Sequence, residues 1–479
     1  MRHRRLHNKG IAIVNTLVFA FIAIVITTAF VSWVSRLIYS IRHLTLREQA
    51  FQIAETGIDY YRWHLAHDPN DFQDGTGEPG HYVHDFEDKD GNVIGQFSLE
   101  IVPPSVGTTI VTVRSTGIIT EPITVERTIQ VQFAIASLAK YAVVSNSNIR
   151  FGEGTEVFGP VHSNHGIHFD GLAHNIVSSS LEEYNDPDHS GNKEFAVHTH
   201  IPPVDPLPPL PMPDRPDVFE AGRFIGVPEI DFAGITFDLA QIKVAAVEEG
   251  VHLEDSGSLG WLLLLKTNDT FEVYRVDSLE PVSLGCTTVL GQKWWGTWSV
   301  KNKTFIQTYN VPESGLVFAE DNVWVEGQID GTRITIAAGV FPDNPNQRKS
   351  ITVNNDLLYS NYDGQDVIGL IAQGNINVGL VSEDNLRIDA AVVAQNGRVG
   401  RYYYKPPSGE NNRCDPYHIR ETITFYGMIL SNERYGFAYT DGTGYEIRNL
   451  IYDSNLLYGP PPSFPLTSDQ YSILSWEEL

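Results

Sequence analysis

Cysteine is nearly absent from this 479-residue chain. The two present, Cys286 and Cys414, exclude a disulfide-dense scaffold and a four-cysteine zinc site, and neither belongs to a C-x-x-C pair. They allow one bridge at most, and its geometry cannot be read from spacing. Basic residues are scarce too: 33 Lys and Arg stand against 59 Asp and Glu, for a formal net charge of −26. Seven of those cations (Arg2, Arg4, Arg5, Lys9, Arg36, Arg42 and Arg47) precede the first acidic residue, Glu48, which leaves −33 for residues 48–479. No basic stripe remains to track phosphates, which argues against nucleic acid as a partner. Gly-rich phosphate loops, a G-x-S-x-G elbow and zinc-peptidase motifs are missing, so no cofactor is expected. The acidic run Asp85–Asn92, DFEDKDGN, fails as a calcium loop because Lys89 occupies a ligand position, and it reads as a turn before a first strand. What the chain does have is apolar residues, 42% of the total, enough for a sizeable core, and length for two to four domains at about 100–200 residues each.

One stretch is entirely uncharged. Ile11–Val34, IAIVNTLVFAFIAIVITTAFVSWV, runs for 24 residues without an ionisable group, and as a helix it would rise about 36 Å, enough to cross a bilayer. The leader before it, MRHRRLHNKG, holds four Lys or Arg and no acid. By the positive-inside rule the N-terminus stays cytoplasmic and the acidic body lies across the membrane. A cleaved secretory signal would have a shorter apolar region and a small-x-small cleavage site, and neither is present. Helical periodicity then continues through Leu37, Ile41, Leu44, Phe51, Ala54, Ile58, Tyr61 and Leu65, and Asp68-Pro69-Asn70 ends it. The expectation is one helix over 11–66, half lipid-facing and half amphipathic.

The leader ending Lys9-Gly10, the apolar run beginning at Ile11 and the segment AFQIAETG (residues 50–57) resemble the type IV pilin-like proteins, specifically minor pilins with a PilX-type N-terminal region. The resemblance implies that a prepilin peptidase cuts between Gly10 and Ile11. It also implies that the apolar half-helix packs with other pilin-like subunits in a fibre core. One position departs from the pattern: the fifth residue after the cut, usually Glu in a major pilin, is Asn15, which can hydrogen-bond but cannot neutralise a neighbour's amine. That departure suggests a minor or tip position, with a simple membrane anchor as the plain alternative.

Beyond the helix the chain reads as mainly β. Period-two runs at 95–102, 109–119 and 122–134 predict a small antiparallel sheet within residues 67–140, packed on the amphipathic half-helix as in a pilin head. From 141 to 479 short β-runs bounded by Asn and Gly recur, notably at 315–340, 351–359, 366–379 and 385–400. This texture suits the corners of a parallel β-helix, with a β-sandwich as the competing fold. An insertion at about 175–314 interrupts it. That segment contains a stiff Pro-rich connector at 202–216, a predicted amphipathic helix at 237–249, and a predicted hairpin at 260–276 turning at Asn268-Asp269. The aromatic, Pro-rich tail is expected to cap the last coil, because an open β-edge would pair with other chains.

The candidate sites are few. Trp294, Trp295 and Trp298 form a candidate carbohydrate platform, since flat aromatic faces pack on sugar C–H surfaces, although burial in the insertion is the simpler use. Seven histidines fall between His162 and His200, and His198 and His200 would share one strand face. No metal is assigned to them, because a spacing of three does not hold H-x-x-H-x-x-H (162–168) on one strand face and no fixed carboxylate completes a set. Glu383, Asp384 and Asp389 could supply an acid–base pair for glycosidic chemistry but lack a clustered basic partner, so no enzyme is expected. The reading is a single-pass, pilin-like surface protein with a structural or adhesive role. Its expected partners are the lipid bilayer, pilin-like subunits, a prepilin peptidase and surface carbohydrate. The alternative is an anchored β-helix that binds or cleaves surface polysaccharide.

Overall fold

The computed structural model describes residues 8–105, 107–189, 191, 193–232, 234–281, 283, 285–286, 296–410, 412–466 and 470–479, with side chains omitted at 8–10 and 234–238. The described chain is mainly β with one long N-terminal helix. It divides into two compact units, one of residues 1–104, 110–134 and 469–479, the other of 105–109 and 135–468.

In the first unit a single helix, α1 (Asn8–His67), runs for 60 residues without a break, about 90 Å at the usual rise. Its apolar stretch has a mean hydropathy of 2.5 and is 0% buried, and it is long and apolar enough to cross a membrane. Thr16, Thr27 and Thr28 return their hydroxyls to the carbonyls four residues back, at 2.8, 2.7 and 2.7 Å, so these polar groups are satisfied inside the helix. Beyond residue 49 the helix becomes one-sided. Ala50, Ile53, Ala54, Ile58, Tyr61 and Leu65 are buried at spacings of three and four, against Phe97, Leu99, Val113, Ile129, Val131 and Phe133. These last come from an antiparallel sheet of β1 (His81–Glu87), β2 (Val93–Val102), β3 (Val111–Ile119) and β4 (Val125–Ala134). On β3 and β4 alternate residues face the helix, which is the period-two signal visible in the sequence.

Two strands here depart from expectation. Asp85, Phe86 and Glu87 are the end of β1 rather than a turn, because β1 pairs with β2 along its whole length and the turn comes at Asp88–Asn92. The segment Ser472–Glu478 forms a fifth strand on β4, so this part of the tail belongs to the small sheet and caps no coil.

The second unit is built on a large sheet of mainly parallel strands. Parallel pairing in register excludes the sandwich alternative. One line of core side chains runs Val317, Ile336, Leu370, Val392, Ile429, Val143, Val161 and Val177, each residue paired with the next on the neighbouring strand. All are buried, and each such burial contributes about 1.5–3 kcal/mol before entropy is counted. Glycine is needed where strands crowd: Gly427 has φ 140°, and a Cβ there would lie 2.1 Å from the Ala390 carbonyl oxygen.

The stacking order is not the chain order. Strand Val143–Ser145 pairs with Ile419–Ser431, and Thr155–Phe158 pairs with Gly444–Tyr452. The chain therefore enters the stack in its middle and builds outward to Arg223–Phe224 beside Val177–Ser179. It then crosses to the opposite end, where Val251–Leu253 pairs with Leu316–Ala319, and builds back toward its point of entry. The segment at 175–314 is this crossover together with the end strands. Its helix Gly234–Glu249 lays Leu239, Ile242 and Ala246 against Phe318, Ala337 and Ile371 on the flank of the stack. The predicted hairpin is present as Trp261–Leu265 and Thr270–Leu279, with Asp269 at φ 57° in the turn. The Pro-rich connector is anchored by Asp205, which is buried and accepts from Arg215, Arg223 and the Thr199 amide. Residues 444–465 do not cap an end either. Gly444–Tyr452 has a strand on each side, and Leu456 and Phe464 pack into the same flank as the helix.

Candidate functional site

At the start of α1, Gly10 lies within the helix and Ile11 is 60% exposed. Asn15 is exposed on the same apolar stretch, and among the described residues its side-chain amide meets no hydrogen-bond partner. In hydrocarbon such a group is costly unless another helix or a ligand satisfies it.

Cys286 and Cys414 are joined in a disulfide, with Cα atoms 4.5 Å apart across a sequence separation of 128. The bridge is buried among Leu262, Val276, Trp324, Tyr402 and Tyr404 on a second flank of the large unit. We expect intact mass spectrometry of the denatured chain to show no alkylated thiol before reduction and two after it. Two alkylated groups without reduction would remove the bridge.

Of the aromatic platform, Trp298 is not presented as a surface. Trp298 is 9% exposed, packs against Trp324 at 6.2 Å and stacks with Tyr402 at 6.4 Å, as a member of the core around the disulfide. Only its margin borders a cleft of about 830 Å³ lined also by Asn375, Arg398 and Tyr402. Trp294 and Trp295 lie outside the described residues.

The carboxylates at 383–389 separate. Glu383 and Asp384 are exposed, and Asp384 pairs with Arg420 at 3.0 Å. Asp389 points into the protein, accepting from the Tyr359 amide at 3.1 Å, the Tyr362 hydroxyl at 2.8 Å and Arg387 Nε at 2.8 Å. Burial pushes the Asp389 carboxyl up, and those hydrogen bonds and the guanidinium offset only part of that rise.

The histidines behave differently from what their spacing suggests. His162 turns into a Ser/Asn network with Ser178 at 3.0 Å and Asn164 at 3.2 Å, and His174 pairs with Glu220 at 2.8 Å. His168, His198, His200 and His189 converge, with ring centroids 4.7 Å apart for 168–198, 4.3 Å for 168–200, 5.0 Å for 198–200 and 4.4 Å for 189–200. The cause is register. Strand Val197–His198 pairs in parallel with Ile167–Phe169, so His198 sits directly beside His168 across 30 residues of chain. Spacing within either segment cannot reveal this, and it corrects the expectation that no fixed carboxylates attend these histidines. Asp170 and Asp186 each place an oxygen 2.8 Å from one ring nitrogen of His168, while Glu194 lies 3.8 Å from His189 and 3.9 Å from His200. Burial raises the Asp170 carboxyl, but contacts from His168 and the His200 amide outweigh it and bring it down to about 2. Burial and the neighbouring imidazoles push His200 down to about 4.

No protein-family model matches the chain, and no curated protein matches it. Among solved structures the chain is similar to the competence-associated pilin ComZ from Thermus thermophilus, at 13% identity and a TM-score of 0.31, over 90% of this chain and 97% of that one. Similarity at that level transfers neither function nor assembly.

Proposed function

We propose that this protein is a membrane-anchored, pilin-like subunit, a minor or tip component of a type IV pilus or related filament. Its β-rich body faces outward in a structural or adhesive role rather than a catalytic one. The observation that carries the reading is α1. Its first half is apolar and exposed on every side, and its second half continues without a break into a packed helix-on-sheet head. A plain anchor needs only the first of these features. A filament subunit needs both, because the exposed half must find other helices and the head must ride rigidly on it. Asn15 supports packing among helices, since a neighbouring helix can satisfy its amide. The body reads as a parallel β-helix, with the register line of aliphatic residues as its core.

Processing tests the proposal. The N-terminal mass of protein recovered from membranes should correspond to a chain beginning at Ile11, and Gly10→Val should retain the leader. A Met1 start in both would sink the filament reading and favour an anchored carbohydrate-binding or carbohydrate-cleaving module.

A further inference from the structure

We propose that His168, His198, His200 and Asp186 hold a divalent transition-metal ion of the zinc class. One nitrogen from each of the three histidines lies within 4.8 Å of the others, and His168 and His198 are buried. Donors around a tetrahedral zinc are about 3.3 Å apart, so ring rotations of about an ångström close the set.

Hydrogen bonding identifies the free donor. His198 Nδ1 lies 3.2 Å from the Phe195 carbonyl, which can only accept, so the proton sits on Nδ1 and the lone pair on Nε2. That Nε2 is buried on a fully buried residue and has no hydrogen-bond partner among the described residues. It faces Asp186 Oδ2 at 3.5 Å. Two lone pairs facing each other in a dry pocket repel, and a cation between them removes the repulsion.

His168 repeats the arrangement. Nδ1 is 2.8 Å from the same Asp186 oxygen without donor alignment. Asp170, 2.8 Å from Nε2, stands where a carboxylate backs a metal-bound imidazole. The surroundings favour a cation: Asp170, Asp186, Asp188 and Glu194 surround the cluster, and Arg150 and Arg434 approach only Asp170 and Asp188 among them. His189, exposed, and Glu194 share His200 in a second three-donor set on the outer side, which gives an ion a way in from solvent.

The test uses the full chain in detergent, stripped with a chelator and titrated with zinc chloride, and separately with cobalt chloride read by visible absorption. The expected result is one zinc per chain surviving gel filtration and a strong tetrahedral-type cobalt spectrum. His198→Ala should weaken zinc binding at least tenfold and abolish that spectrum. His165→Ala, an exposed histidine outside the cluster, should change neither. Because removal of a buried imidazole can disturb folding, His200→Gln is measured alongside, and it should lose the cobalt spectrum while keeping the wild-type circular dichroism. Wild-type protein that retains no zinc, or full retention in both cluster variants, would overturn the proposal.

Discussion

Replacing Arg401 with Leu is expected to destabilise the large unit by about 3–5 kcal/mol, the largest single-residue effect we anticipate. Arg401 is completely buried, and among the described residues it meets no carboxylate. Its guanidinium donates instead to the carbonyls of Gly379, Leu380 at 2.9 Å and Tyr417 at 2.6 Å and to Ser382 Oγ at 2.8 Å, and it lies over the rings of Tyr404 and Tyr445 at 5.0 and 5.7 Å. Leucine would fill part of the volume and leave three carbonyl groups without these donors, two of them on the buried residues Gly379 and Leu380. Burial already pulls the guanidinium below its ordinary pKa, with the tyrosines offsetting part of that shift, so the site holds its charge by dipoles and aromatic faces alone. Arg275→Leu is the control. Arg275 pairs with Asp277 at 2.8 Å, with both side chains partly exposed, and such pairs are worth at most about 1 kcal/mol. Calorimetry of the full chain should show the large unit's transition falling several degrees for Arg401→Leu and hardly moving for Arg275→Leu. Equal shifts would mean that the carbonyl cluster is satisfied without the guanidinium.

The second large effect is expected at Gly117, in the middle of β3. Valine normally favours a strand over glycine by up to about 1 kcal/mol. Here the sign reverses, because a Cβ on Gly117 would lie 2.0 Å from the Ala50 carbonyl oxygen and 2.6 Å from the Ala54 amide nitrogen. Both are helix backbone and neither can swing aside, so α1 must lift off the sheet. Overpacking of this kind costs about 1–3 kcal/mol or more, and along a helix the displacement spreads to Ile53, Ile58 and Tyr61. Gly117→Val should therefore lower or erase the small unit's melting transition and open α1 beyond residue 49 to protease. Gly80→Ala, where a Cβ meets nothing within 4 Å, should leave both unchanged. An unmoved transition in Gly117→Val would show that α1 does not sit on β3 as described.

These two sites also mark where the sequence was readable. Local signals were strong: the uncharged run and its amphipathic continuation give α1 almost to the residue, Pro69 stops it, and Asn268-Asp269 turns the hairpin. Each of these depends on neighbours within a few positions. What escaped was pairing over distance. Nothing in Val143–Ser145 says that its partner is Ile419–Ser431 rather than the next strand along, since any aliphatic strand fits a core of stacked aliphatics. Ser472–Glu478, SILSWEE, could not be assigned to β4 for the same reason. Face alternation within one strand does not reveal the histidine cluster, because the neighbour of His168 is His198 on the next strand in register. Trp298 shows the converse limit. Aromatic clustering was visible, but whether rings face solvent or core depends on packing around a disulfide that spacing could not place.

The pairing of β4 with Ser472–Glu478 has a mechanical meaning. Ser472 lies opposite Ala134, so the chain leaves the small unit for the large one and returns from it at neighbouring points of one sheet edge. The excursion of residues 105–109 into the large unit and the exit after β4 both tie that unit covalently to α1. The return through Ser472–Glu478 is joined to the small unit by its ladder of hydrogen bonds to β4, and under tension that ladder yields before any peptide bond. A strongly pulled molecule would first surrender its fifth strand, gaining slack and dissipating energy, while the covalent crossings still hold the large unit to α1.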